Sequence, residues 1–174
     1  MKLIKKDEFK DSNWAGGITS EIFIYPEDAT VGEKNFDFRI SSASCNLEKS
    51  IYTNYDGFLR YISPLDNSMT ITTDAKKFSL RPFEVLFFNG KSNTFSTGDV
   101  RDFNLIYKKN LNAQMYSLNI NNYKNYFKGH AIIFNFNSKL KYEDEKFPEF
   151  SALYLKNEEI NLKGQGKIII CQIY

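Results

Sequence analysis

The chain has 174 residues, 42% of them apolar, enough for one compact domain or two small ones sharing a core, with no need of disulfide staples. Its 23 basic and 21 acidic residues leave a net charge of +2, and the lysines are scattered, which argues against a nucleic-acid footprint. No apolar run approaches the ~20 residues that cross a bilayer, and the opening MKLIKKDEF lacks a signal peptide's apolar stretch, so the expectation is a cytoplasmic protein without a membrane partner.

In chain order, short alternating runs broken by Gly, Asn, Asp, Ser or Pro predict an all-β sandwich or barrel. The alternation places strands at 19–25, 36–44, 58–62, 69–73, 77–80, 85–88, 93–96, 103–108, 131–135, 151–155 and 167–173. Sixteen Phe and eleven Tyr suit such pleated, half-buried surfaces. The Asn-rich stretch 111–128 is weakly patterned and is expected to join a main β-unit over 1–110 to a smaller one over 111–174 that packs on it and shares strands. Within the second part, KYEDEKFPEF reads as a solvated loop. Its carboxylates alternate with Lys and it lacks an EF-hand glycine, which argues against a metal-binding acidic patch.

His130 is the only histidine, so neither a multi-imidazole metal site nor a Ser/His/Asp triad of the ordinary kind is expected; it could act at most as a lone base. Cys45 and Cys171 form no CxxC pair or Cys/His cluster and read as buried thiols. No cofactor and no metal are expected.

Side chains of a strand alternate between its two faces. In NFDFRISSAS, Arg39 and Ser41 therefore share a face opposite Phe38 and Ile40. In VRDFNLIY, Asp102 and Asn104 oppose Phe103, Leu105 and Tyr107, and in TSEIFIY, Thr19 and Glu21 oppose Ile22 and Ile24. In a closed barrel one face lines the interior. If it is the polar one, Thr19, Glu21, Arg39, Asp102 and Asn104 converge on a cavity suited to a small polar ligand, with Arg39 forking onto a carboxylate. The alternative is an exposed Arg39 on a solvated face. Arg60 shares its face with Phe58 and Ile62, which places it either at a barrel mouth with its stem on aromatics or beside a carboxylate.

The blocks WAGGITSEI (14–22), FDFRISSA (36–43), YDGFLR (55–60), LRPFEVLFFNG (80–90) and GDVRDFN (98–104) resemble the HutD/Ves family in residues, order and spacing. The resemblance implies a cupin-like fold with two barrels in one chain, a bicupin-like arrangement. It also implies binding of an intermediate of histidine utilisation, such as formylglutamate or urocanate, in a regulatory role with no established catalytic activity. The matching positions are Trp14, Gly16, Gly17, Thr19, Glu21, Arg39, Ser41, Arg60, Asp102 and Asn104. The chain departs from the family pattern in reading W-A-G-G before Thr19, and in I-Y-T-N-Y-D-G, where the family's proline is missing. On this reading Gly16 and Gly17 bend or bulge the chain beside the barrel mouth and aim Thr19 and Glu21 inward, while Trp14 covers one end. The plainer alternative is a glycine turn next to a core Trp.

Three functions fit these residues. The first is a metal-free cupin-like binding protein for a small carboxylate metabolite, compatible with a homodimer. The second is a cofactor-free isomerase or hydrolase with Glu21 or Asp102 as base. The third is a ligand-free interaction module in which Arg39 is sealed against Glu21 or Asp102 and Tyr123, Tyr126 and Phe127 form a partner surface.

Overall fold

The computed structural model describes residues 1–14, 16–45 and 48–174. In chain order the strands are β1 (Lys2–Ile4), β2 (Lys10–Trp14), β3 (Gly17–Tyr25), β4 (Phe38–Cys45), β5 (Ser50–Ile51), β6 (Phe58–Pro64), β7 (Met69–Thr73) and β8 (Lys76–Leu80). They continue with β9 (Leu86–Asn89), β10 (Thr94–Thr97), β11 (Val100–Lys108), β12 (Ala113–Asn135), β13 (Leu140–Tyr142), β14 (Glu145–Phe147) and β15 (Ser151–Ile173). The only helix among the described residues is one 3-10 turn at Lys6–Glu8. The chain divides into two compact units, Lys10–Leu111 and Met1–Phe9 with Asn112–Tyr174.

The Lys10–Leu111 unit contains a six-stranded antiparallel sheet, β2-β3-β4-β11-β6-β9, and a four-stranded one, β5-β10-β7-β8. Paired residues of antiparallel strands point to the same side, so the register fixes which side chains meet. Thr19 pairs with Ala43 and Ala43 with Asp102; Glu21 pairs with Ser41, Ser41 with Asn104, and Asn104 with Ile62. One step further along, Arg39, Ile106 and Arg60 form a row across β4, β11 and β6. The alternation predicts Ile24 on the face opposite Glu21, but a register shift between Glu21 and Phe23 pairs Ile24 with Arg39. One extra residue in a strand reverses the phase of everything beyond it. Ile24 thereby joins Ala29, Phe36, Tyr55, Phe58 and Ile106 in an apolar cluster on the polar row's own face. A second cluster is built on Ile62, Met69, Ile71, Leu80, Phe88 and Val100.

In the other unit β12 and β15, each 23 residues long, form one long hairpin, and β1, β13 and β14 complete the sheet. The stretch 111–128, read from the sequence as a joining segment, is mostly strand. Its weak pattern has a local cause. Asn122 and Gly129 on β12 and Asn157 and Gly164 on β15 all have positive φ, and such positions break period-two alternation. Each asparagine secures the other arm: the Gly164 N–H donates to Asn122 Oδ1 and the Gly129 N–H to Asn157 Oδ1, both at 2.9 Å. KYEDEKFPEF is likewise a hairpin, β13 to β14, with Glu143 and Asp144 at positive φ where the turn signal expected in sequence is Asn-Gly or Asp-Gly. The core here is aliphatic, with Ile133, Leu153, Leu155, Ile168 and Ile170 all fully buried. Phe127, expected on a partner surface, is fully buried in the same core, whereas Tyr126 is exposed.

Candidate functional site

A cavity of about 360 Å³ opens in the Lys10–Leu111 unit, and the polar row of the six-stranded sheet forms one wall of it. Of the residues predicted for a site, Trp14, Thr19, Arg39, Ser41, Arg60, Asp102 and Asn104 line it. Their convergence follows from the register, because β11 is the strand between β4 and β6 and carries Asp102 and Asn104 between the two arginines.

The two guanidiniums are held differently. Arg39 Nε donates to Glu21 Oε2 at 2.7 Å and Nη1 reaches Ser41 Oγ at 3.4 Å. Glu21 does not line the cavity. It stands beside Arg39, largely buried, and neutralises that guanidinium from one edge, as a buried charge requires. Arg60 forms no ion pair among the described residues, though the Asp102 carboxyl lies near enough for the two charges to interact. Its Nη2 donates to Asn104 Oδ1 at 3.1 Å and Nη1 to the Thr53 carbonyl at 3.4 Å, while the guanidinium carbon lies 5.0 to 5.8 Å from the ring centroids of Tyr52, Tyr55 and Phe88. Of the two settings the sequence allowed for Arg60, the structure shows aromatic company, but at the guanidinium of a buried residue, with Asp102 also nearby. Arg60 Nε is buried and has no hydrogen-bond partner among the described residues. A guanidinium so enclosed has its pKa lowered, chiefly by burial.

Asp102 is 4% exposed. Its Oδ1 accepts from Asn104 Nδ2 at 2.5 Å and from the Ala43 N–H at 3.3 Å. Burial outweighs these bonds and the nearby Arg60, and pushes the carboxyl up to about 7. The Tyr52 hydroxyl lies beside the Asp102 carboxyl and 3.2 Å from Ser96 Oγ, and burial, with Asp102's charge behind it, holds its pKa far above the ordinary phenol value.

The glycine pair lies in the β2–β3 hairpin, where Trp14 pairs with Gly17. Gly16 is buried beside it in the turn. A Cβ on Gly17, at φ +152°, would sit 1.8 Å from the Ser44 carbonyl oxygen, so glycine here permits the close approach of β3 to β4. The expected bulge is four residues further on, after Glu21. Trp14, 38% exposed, stands at the cavity lining and not in a core. Ala15 lies outside the described residues.

Sequence reasoning missed Tyr52 and Tyr55, which lie between β5 and β6 where no periodicity marks them. The available signal was two tyrosines just ahead of an arginine with apolar company. Cys45, Ser50 and Ile51 also line the cavity. Both cysteines are free and buried. His130 belongs to the other unit, where its Nδ1 lies 2.8 Å from the Tyr154 hydroxyl. No group of three or more His, Cys, Asp or Glu comes together among the described residues. A lining with two guanidiniums, one carboxyl, one thiol and no imidazole does not fit a metal ion. It fits an anion with hydrogen-bonding groups. The arrangement also meets only half of the condition for a sealed interior, since Arg39 is paired with Glu21 while the cavity beside it stays open.

The family model described as HutD matches residues 6–171. Among solved structures, the fold is similar to HutD from Pseudomonas fluorescens SBW25 in a formate condition, with a TM-score of 0.83 and 22% identity over 99% of this chain and 98% of that one. It is also similar to a conserved protein of unknown function from Pseudomonas aeruginosa PAO1, with a TM-score of 0.82 and 19% identity over 99% and 97%. A cupin 2 conserved barrel domain protein from Leptotrichia buccalis follows the same fold at a TM-score of 0.61 and 11% identity over 99% and 96%. No curated protein matches the sequence. The fold is thus all-β and cupin-like, and no helix among the described residues is long and apolar enough to cross a membrane.

Proposed function

The chain belongs to the HutD family, and from that premise we propose that it is a metal-free binding protein whose Lys10–Leu111 cavity captures a small carboxylate metabolite of the formylglutamate or urocanate type. Its role is accessory and regulatory in cytoplasmic histidine utilisation. The unit of Met1–Phe9 and Asn112–Tyr174 is then the second barrel of a bicupin-like pair.

The observation that carries this reading is the unfinished coordination of two buried arginines on one row of the sheet. Glu21 occupies only the Nε edge of Arg39, and Arg60 Nε has no hydrogen-bond partner among the described residues. Buried donors left open are costly, and a carboxylate arriving at the cavity repays that cost with charge-assisted hydrogen bonds. The arginine backbones are two strand spacings apart, about 10 Å, so both side chains can reach one small guest.

A thermal-shift titration tests it, because a ligand that binds only the folded state raises the melting temperature in a saturable way. N-formylglutamate or urocanate at millimolar concentration is expected to give that rise, and no shift with any carboxylate overturns the reading. The rival enzyme reading keeps one foothold, since Asp102 faces the cavity with a carboxyl that titrates near neutrality. It requires turnover of the same acids that Asp102→Asn removes while binding persists.

A further inference from the structure

A site built for an anion should not present it with a second negative charge, yet Asp102 lines the cavity on the same sheet face as Arg39 and Arg60. Asp102 forms no ion pair among the described residues: Oδ1 accepts from the Asn104 amide and the Ala43 N–H, and the Tyr52 hydroxyl also bonds the carboxyl. Arg60 is committed to Asn104 and to the Thr53 carbonyl, and Arg39 to Glu21 and Ser41. The carboxyl therefore sits near Arg60 but in no ion pair with it, and burial outweighs that nearby charge.

We propose that Asp102 meets the bound carboxylate as a carboxylic acid, donating its proton in a hydrogen bond to the ligand, so that capture of the anion is tied to uptake of one proton. The proposal rests on the carboxylate-binding reading above and adds to it a specificity-determining residue. One O–H bond forms at Asp102 with a proton taken from solvent, and no other bond changes. An anion placed against ionised Asp102 would be repelled, whereas against the acid it gains a donor that complements the two guanidiniums. The carboxyl's position near 7 gives the switch a physiological range.

The other groups that face Asp102 do not supply this behaviour. Arg60 on β6 and Arg39 on β4 are guanidiniums, which do not titrate in this range, and Glu21 of β3 is paired to Arg39. Tyr52 is held protonated by burial. Tyr55 and the Cys45 thiol of β4 line the same cavity, and the thiol sets the control.

The test is calorimetric titration of the full chain with N-formylglutamate, whose carboxyls stay ionised throughout, at pH 6 to 9 in two buffers of different ionisation enthalpy. If only the protonated site binds, affinity falls about fifty-fold between pH 7 and pH 9, and roughly 0.9 proton is taken up per ligand at pH 8. Asp102→Asn supplies an N–H donor that cannot titrate, so its affinity should change less than about threefold over the same range, with no proton uptake. Cys45→Ser should keep the wild-type slope. Ligand binding without proton uptake in the wild type overturns the proposal and leaves the carboxylate reading standing. A slope that persists in Asp102→Asn, or vanishes in Cys45→Ser, also overturns it. Absence of binding at every pH overturns both.

Discussion

The two units treat a buried strand face in opposite ways. In the one containing β12 and β15, the interior is closed with Ile133, Leu153, Leu155, Ile168 and Ile170, and the polar residues at its bends hold the backbone of the hairpin in place. In the Lys10–Leu111 unit, Arg39, Ser41, Arg60, Asp102 and Asn104 are buried to a similar degree but face open volume. Aliphatic burial contributes stability in proportion to its area, whereas two enclosed guanidiniums cost desolvation that internal partners offset only in part. The difference separates a face that maximises packing from one that holds polar side chains around open volume.

Substitutions can break this contrast, and the largest effect is expected in the hairpin that frames the cavity. Gly17→Val would drive a side chain into the Ser44 carbonyl, so folded protein should be lost outright by circular dichroism. Were Gly17→Val to fold and fail only to bind, the glycine would serve the site and not the scaffold. Ile168→Ala in the closed unit should cost about 4 kcal/mol in denaturant unfolding and leave ligand affinity unchanged. Arg39→Met strands the Glu21 carboxylate and should cost about 3 kcal/mol as well as binding.

Asp102 supplies a pH signature. Its carboxyl titrates near 7 in the folded chain against an ordinary 3.8. Between those values the folded state holds a proton the unfolded state has lost, so stability is fullest below about pH 4, declines as pH rises through 7 and then levels. Denaturant unfolding should register a fall of about 3 kcal/mol from pH 5 to pH 8 that Asp102→Asn abolishes. The smallest effect on stability belongs to Arg60→Met. It removes a buried charge that forms no ion pair among the described residues and keeps an apolar stem against Tyr52, Tyr55 and Phe88. Stability should change by less than about 1 kcal/mol while carboxylate binding disappears.

Much of this was legible where alternation runs unbroken. Arg39 with Ser41, and Asp102 with Asn104, fall on one face by period two alone, and their strands pair directly. The all-β class followed from the same signal, and the HutD resemblance from the five sequence blocks, now matched by the family model across residues 6–171. Legibility failed wherever one residue shifts the phase. The bulge after Glu21 returned Ile24 to the cavity's face, and the bends at Asn122 and Gly129 disguised a long strand as a linker. Tyr52 and Tyr55 come from an irregular connection, whose side-chain directions no period encodes. Short strands such as β1 and β13, three residues each, are too brief for alternation to register.

The central claim is that the buried arginine row exists to receive a carboxylate, and it is tested most directly by titrating N-formylglutamate into wild type and Arg60→Met while following the melting temperature. The account predicts a saturable rise in the wild type and none in a variant of equal intrinsic stability. No rise in the wild type, or the same rise in both, would contradict it.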